Sequence, residues 1–211
     1  SKEKLIKEKL NGKEYYFFLK RIPSEKMEKI FSNFIPEALK NFKWKKSMRW
    51  SNHREKWIRP INKILCLFDE KIIKFEFAGI ISSRHTIGNY LYSKEEKECF
   101  SFKEYKNFLK KNKVVLEQNT RKNKITFALE DICKKYKLTK NFDEKLIDEN
   151  SNLVEYPNIF LGEFDKVFFS MPKKFLETVI SGQQKYFSFH DKDRNLSNFF
   201  EFISNQDKDK K

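Results

Sequence analysis

Ile61-Asn62-Lys63-Ile64-Leu65-Cys66-Leu67-Phe68 reads as one buried strand, Asp69-Glu70-Lys71 as a turn, and Ile72-Ile73-Lys74-Phe75-Glu76-Phe77-Ala78-Gly79-Ile80-Ile81 as a second strand. Ile73, Phe75 and Phe77 recur at every second residue, so they share one face. A turn joins these strands where a βαβ unit would place a helix. That break in the βαβ beat points to an α+β fold.

Upstream, Asn11-Gly12 separates the strand-like runs Lys4 to Leu10 and Lys13 to Arg21. It is a hairpin signal, because both turn residues tolerate positive φ. Alternation of Tyr15, Phe17 and Leu19 with Tyr16, Phe18 and Lys20 predicts a ribbon packed on one face. Ser24 is the expected cap of a helix running to about Asn41, with Met27, Ile30, Phe31, Phe34, Ala38 and Leu39 as its apolar stripe and a kink at Pro36.

Downstream, Ser82 to Asn89 is a polar loop, and Ser101-Phe102-Lys103-Glu104 is a capping box opening a helix with Tyr105, Phe108 and Leu109 inward. A short Val114-Val115-Leu116 strand precedes a helix from Asn119 to Tyr136, with Ile125, Ala128, Leu129, Ile132 and Tyr136 inward. A short helix from Asp143 to Glu149 follows, and then Ile159 to Phe169 is extended or irregular. Pro172 opens a helix expected to bury Phe175, Leu176, Val179 and Ile180. Tyr186 to His190 and Asn198 to Asn205 close the module as paired strands. The resulting organisation is a β-hairpin plus helix subdomain (1–45), a mixed-sheet α+β module with short helices (46–205) and a frayed charged tail (206–211).

The 23 phenylalanines supply apolar area that a disordered chain of this charge would lack. With 45 basic against 30 acidic residues the net charge is +15, which favours a polyanionic partner. Cys66, Cys99 and Cys133 are odd in number and show no CxxC spacing, so neither a disulfide framework nor a zinc site is indicated. A reducing, cytoplasmic compartment is the expectation, and no apolar run approaches a membrane span. The chain begins at Ser1 and enters strand-like sequence directly, as an interior piece of a longer protein would.

All three tryptophans fall in one basic stretch, Lys43-Trp44-Lys45-Lys46-Ser47-Met48-Arg49-Trp50, continued by Arg54, Trp57, Arg59 and Pro60. From Lys40 to Arg59 there are eight Lys or Arg residues against the single acid Glu55. Cations neutralise phosphates, and flat rings stack on bases or support arginine planes. Two readings stay open at this level: a nucleic-acid footprint, or half-buried tryptophan anchors beneath a solvated basic face.

Other candidates for chemistry are weaker. There is no GxGxxG, GxxxxGK[ST] or GxSxG pattern, and five glycines leave little material for a phosphate-cradling loop. His190-Asp191 resembles a metal-dependent phosphohydrolase dipeptide, but His53 and His85 bring no ligand spacing to it, and a strand end entering a polar turn is the better account. Arg84-His85-Thr86 and Gln183-Gln184-Lys185 are candidate phosphate contacts. Glu155 is a candidate buried acid, and no nucleophile–base pair can be placed.

Several spaced motifs resemble, in order, the bacterial glycyl-tRNA synthetase β-subunit family. They are Lys46-Ser47-Met48-Arg49-Trp50, Ile58-Arg59-Pro60, Phe77-Ala78-Gly79-Ile80 and Thr86-Ile87-Gly88, then Arg121 with Ile125. Leu153-Val154-Glu155-Tyr156-Pro157, Gly162 with Phe164, Pro172, Gln184-Lys185-Tyr186-Phe187 and Asn205 follow. The usual Lys-Gly-Glu turn stands here as Asn11-Gly12-Lys13-Glu14. Gly88-Asn89-Tyr90-Leu91 replaces the family's Gly-His-Arg-Phe, and Gln183 stands where His is frequent.

The resemblance implies an interior fragment of the β subunit, with an opening segment before Ser1 and HD-like and anticodon-binding domains beyond Lys211. It further implies a B3/B4-like module within a heterotetrameric glycine–tRNA ligase of two α and two β subunits. There the α subunit holds ATP, Mg and glycine, while the β subunit engages tRNA(Gly). This fragment is expected to hold no cofactor, metal or catalytic residue. Its candidate nucleic-acid contacts are Lys45, Lys46, Arg49, Trp50, Arg54, Arg59, Arg84 and Lys185, with Trp44 as an alternative positioning residue. The competing expectations are an editing-like aminoacyl-tRNA hydrolase with a polar pocket near Glu155 or Lys185, and a pure α-subunit interaction surface.

Overall fold

Positive φ at consecutive residues folds the front of the chain into tight hairpins: Asn11-Gly12 (52° and 79°), Asp69-Glu70 (49° and 63°) and Ala78-Gly79 (51° and 75°). Such pairs match the type I′ turn, whose twist suits the strands it joins. The computed structural model describes residues 4–19, 23–139 and 142–206. The chain divides into two units, Ser1–Arg84 and His85–Lys211. The expected charged tail lies outside the described residues apart from Gln206, as do Lys20 and Arg21.

In the first unit, β1 (Lys4–Leu10) and β2 (Lys13–Leu19) pair antiparallel with Ile6 opposite Phe17. The ribbon does not pack on one face as expected. Phe17 and Phe18 point to opposite sides, and both are exposed. Helix α1 (Met27–Lys40) continues through Pro36 and starts three residues beyond Ser24, with Lys26 at the N-cap. Its inward stripe is Phe31, Ile35 and Leu39, whereas Met27, Ile30 and Phe34 are exposed.

That stripe packs on Ile73, Phe75, Phe77 and Ala78, joined by Trp50, Trp57, Ile61, Ile64 and Cys66. The helix therefore shares a core with residues that follow it, and the division falls after Arg84 rather than after Lys45. The expected second strand is interrupted. After β3 (Leu67–Phe68) and β4 (Lys71–Ile72), the turn at Ala78-Gly79 folds β5 (Glu76–Phe77) back on β6 (Ile80–Ile81). The buried Ser82 hydroxyl closes the resulting gap. It accepts the Phe75 N–H at 2.8 Å and donates to the Ile73 carbonyl at 2.6 Å.

The second unit is α+β as well. A small pair, β7 (His85–Ile87) and β8 (Glu96–Glu98), precedes α2 (Phe102–Lys111), α3 (Gln118–Tyr136) and α4 (Glu144–Leu153). Then come β9 (Asn158–Glu163), a 3-10 turn (Lys166–Ser170), α5 (Lys173–Glu177) running into a π-helical turn (Thr178–Gln183), β10 (Phe187–His190) and β11 (Leu196–Ser204). The last strands form an antiparallel sheet in the order β10-β11-β9. Its inner face carries Phe187 and Phe189, which close on Ile125, Leu129 and Cys133 of α3 and Leu146 and Ile147 of α4. Each such side chain contributes about 1.5–3 kcal/mol by leaving water.

The capping box forms as read: Ser101 accepts the Glu104 N–H and the Glu104 carboxylate accepts the Phe100 N–H. Val114 to Leu116 is not a strand, although the Val115 N–H donates to the Glu155 carbonyl at 2.8 Å. Phe175 and Val179 are exposed where burial was expected; only Leu176 and Ile180 turn inward. No described helix is long and apolar enough to cross a membrane.

Polar side chains stitch the irregular parts together. Arg121 donates Nε–H to the Ser151 carbonyl (2.6 Å) and Nη1–H to the carbonyls of Val115 (2.6 Å) and Leu116 (3.0 Å). Asn205 Oδ1 accepts the N–H groups of Glu155 (3.0 Å) and Tyr156 (3.2 Å). Fully buried Asn89 accepts the Leu91 N–H, while its own N–H donates to the Asn112 carbonyl. Arg121→Ala strips three carbonyls of a charged donor, and urea denaturation should show a loss of about 1.5–3 kcal/mol. Arg121→Lys should recover only part of it, because an ammonium cannot reproduce the planar fork.

Candidate nucleic-acid interface

The basic stretch is held by its ends. Met48 and Trp57 form an isolated antiparallel bridge, with N–H to carbonyl distances of 2.8 and 3.1 Å, and so close residues 49–56 into a loop. The His53 ring lies directly over the Ala78-Gly79 turn: a Cβ on Gly79 would fall 2.3 Å from His53 Cε1. Gly79 is therefore required twice, for its φ of +75° and for the absence of a side chain under the imidazole.

A chain of aromatic rings leads outward from the core. Phe77 meets the edge of Trp57 (centroids 5.6 Å apart), Trp57 meets Trp44 edge-on (5.0 Å), and Trp44 stacks on Phe42 (5.3 Å, 16° between planes). Packing alone holds Trp44, since its indole N–H is buried with no acceptor among the described residues. Phe42, at the outer end, is 55% exposed.

Around that outer end is an open groove of roughly 540 Å³, whose wall includes Phe42, Trp44, Ser47 and Glu55. Lys40, Lys43, Arg54 and Lys56 also line it, giving four cations against one acid on an aromatic floor. Flat apolar surface ringed by cations can seat a base or sugar while fixing flanking phosphates.

Of the candidate contacts named from sequence, Arg54 lies in this groove. Lys45, Lys46, Arg49 and Arg59 are exposed on the same basic segment but do not line it. Trp50 is half-buried and packs on the Ile73–Phe77 cluster, and it does not line the groove. Arg84 is half-buried at the end of the first unit. Lys185 belongs to the second unit, where it is paired with Glu149 at 3.2 Å. Lys40, Lys43, Lys56 and Phe42 were missed as groove residues. The signal available for them was membership of the basic run, not a motif.

A second, polar pocket of about 370 Å³ lies in the second unit beside Lys185, among Asp143, Lys145, Glu149, Ser181 and Ser188. The Ser181 and Ser188 hydroxyls are 3.4 Å apart, and no His or Cys lines the pocket. Glu155 is exposed and takes no part in it. The buried acid of this unit is instead Glu201, on β11. No group of three or more His, Cys, Asp or Glu among the described residues could hold a metal. His190 Nε2 lies 2.7 Å from the Glu177 carboxylate, at the end of β10. Asp191 folds the following turn, accepting the side-chain N–H of Asn195 (3.0 Å) and its backbone N–H (2.8 Å). Those bonds hold its carboxyl below the usual range. The dipeptide is thus a strand end and a turn. None of the three cysteines forms a disulfide among the described residues, and burial pushes the Cys66 and Cys99 thiols up.

A family model described as glycyl-tRNA synthetase beta subunit matches residues 1–211. The glycine–tRNA ligase beta subunit of Rickettsia canadensis is 35% identical over 205 residues, covering 97% of this chain and 31% of that protein. The corresponding protein of Rickettsia akari is also 35% identical over 205 residues. That of Rickettsia typhi is 34% identical over 196 residues, 93% of this chain and 30% of the relative. The chain thus spans about a third of the length of the curated relatives it matches.

The turn under the basic loop and the rings beneath the groove have separable energetic signatures. Gly79→Ala forces a side chain into the left-handed region and against His53, so the urea midpoint should fall by an amount equivalent to at least about 1–2 kcal/mol. Trp57→Ala opens a core cavity worth about 3–5 kcal/mol. Phe42→Ala, which removes a half-exposed ring stacked on Trp44 and set edge-on to Trp57 (5.8 Å), should cost less than the Trp57 change, about 0.5–1.5 kcal/mol for each ring pair lost.

Proposed function

The chain belongs to the glycyl-tRNA synthetase beta subunit family, and we propose that its first unit engages tRNA(Gly) through the groove at Phe42 and Trp44. The observation that carries this reading is the convergence of Lys40, Lys43, Arg54 and Lys56 on one aromatic floor. The net charge of +15 draws a polyanion in from a distance. Lys45, Lys46, Arg49 and Arg59, exposed on the adjoining segment, extend the positive track along a phosphate backbone. In this reading the fragment positions tRNA for ATP-dependent glycine charging in the cytoplasm. ATP, Mg and glycine are held by the α subunit of an assembly of two α and two β subunits.

Each neutralised phosphate releases counterions, so affinity falls with salt in proportion to the number of contacts. In a salt titration of tRNA(Gly) binding to the complete enzyme, Arg54→Ala with Lys56→Ala should reduce the magnitude of the log–log slope by about 1.4–1.8. An unchanged slope would reduce these residues to a solvated face. If the same variants instead lost retention of the α subunit in a pulldown, the surface would belong to assembly.

The pocket beside Lys185 supports a second reading, an editing-like aminoacyl-tRNA hydrolase. Lys185 is paired with Glu149, and the hydroxyls the pocket offers among the described residues are those of Ser181 and Ser188. If this reading holds, the β subunit will deacylate a misacylated tRNA(Gly) and Ser188→Ala will abolish the activity. Equal hydrolysis by the variant would dismiss it.

A further inference from the structure

The 3-10 turn, α5 and the π-helical turn of the second unit present an unusual surface. Met171, Phe175 and Val179 recur at four-residue spacing and are all exposed, at 41, 55 and 36%, with Phe168 beside them at 43%. Leu176 and Ile180, on the other side of the same segment, are buried. The segment is therefore apolar on both sides, with only one side covered. The π turn contributes to this: the Gln184 N–H reaches the Val179 carbonyl, five residues back, at 3.0 Å, a widened step of the kind that recurs at functional sites.

The outer face of the neighbouring sheet continues the surface. Phe160 stacks on Phe202 (5.1 Å, 13° between planes) and Tyr186 on Phe200 (5.4 Å, 6°). Gly162 makes this possible, since a Cβ there would fall 2.4 Å from the Phe200 ring. Between segment and sheet runs a groove of about 400 Å³, in which Gln184 is the one amide side chain among the described residues. Soluble proteins seldom leave such contiguous apolar area in water.

The chemistry of the groove selects its occupant. Among the described residues no Lys or Arg lines it, so a phosphate-bearing ligand would find no cation there to neutralise it. A row of apolar side chains at four-residue spacing suits the ridge of an amphipathic helix laid into a groove. About two-thirds of each relative's length lies outside the matched segment. A helix tethered in the same polypeptide acts at an effective concentration in the millimolar range, above that of a free partner. We propose that this groove is the seat of an amphipathic helix from the remainder of the same β-subunit polypeptide, packed on Phe168, Met171, Phe175 and Val179. The proposal rests on family membership and is independent of the tRNA reading.

Hydroxyl-radical footprinting of the full-length β subunit tests it. With the subunit alone, Phe168, Met171 and Phe175 should be oxidised as slowly as the buried Phe187 and Phe189, at every protein concentration. A photo-crosslinker at Val179 should then join to a peptide of the same chain. Oxidation at the rate of the exposed Phe127 and Tyr90 would overturn the proposal. Protection arising only with the α subunit, only with tRNA or only as concentration rises would overturn it equally, by assigning the groove to that partner or to a second copy. Val179→Glu should raise Met171 oxidation while leaving the salt slope of tRNA binding unchanged. A Val179→Glu subunit with Met171 still protected would refute the stated contact.

Discussion

The close approach of His53 to Gly79 is the constraint on which the basic surface depends. Backbone can pass beneath an imidazole only where no Cβ intervenes, and Gly79 meets that condition at the tip of a hairpin whose Phe77 is a core residue. The loop closed by Met48 and Trp57 is thereby held against a rigid base. The ring series Phe77–Trp57–Trp44–Phe42 carries that order to the surface. Cations on a well-anchored loop keep their geometry without being ordered afresh on binding, which lowers the entropic cost of association.

In the second unit, the polar residues behind the family resemblance have clear structural duties. Arg121 and Asn205 satisfy backbone groups in turns where no helix or strand could do so. Asn89 is fully buried in the same kind of task. A buried unpaired amide or carbonyl costs more than the bond it would have made. Such residues therefore specify an irregular fold as firmly as apolar packing does. Across this unit the resemblance marks architecture, and the chemistry of the ligase is proposed to lie with the α subunit.

The two units differ in the kind of surface they offer. The first exposes charge around a small aromatic floor, suited to a polyanion whose binding weakens with salt. The second exposes an apolar groove and a stacked aromatic sheet face, suited to a partner that excludes water. This contrast is the physical basis for the two separate proposals, contact with tRNA at one surface and seating of a helix at the other.

Local features were legible from the residues themselves. The Asn11-Gly12 turn, the Ser101–Glu104 capping box, most of the α3 stripe and the closing strands β10 and β11 all formed as read. Each is decided by neighbours a few residues apart: turn dihedrals, a cap, or a periodicity. The α+β class and the family followed from the order of such features and of the motifs. Tertiary contact decided the rest. Pairing across the Ala78-Gly79 turn split an apparently continuous strand, and the shared core moved the boundary from Lys45 to Arg84. Trp50 went inward while Phe42 stayed out, and Phe175 and Val179 were left uncovered. Hydrophobicity states that a side chain seeks a partner, but only the packed chain settles which partners lie within reach.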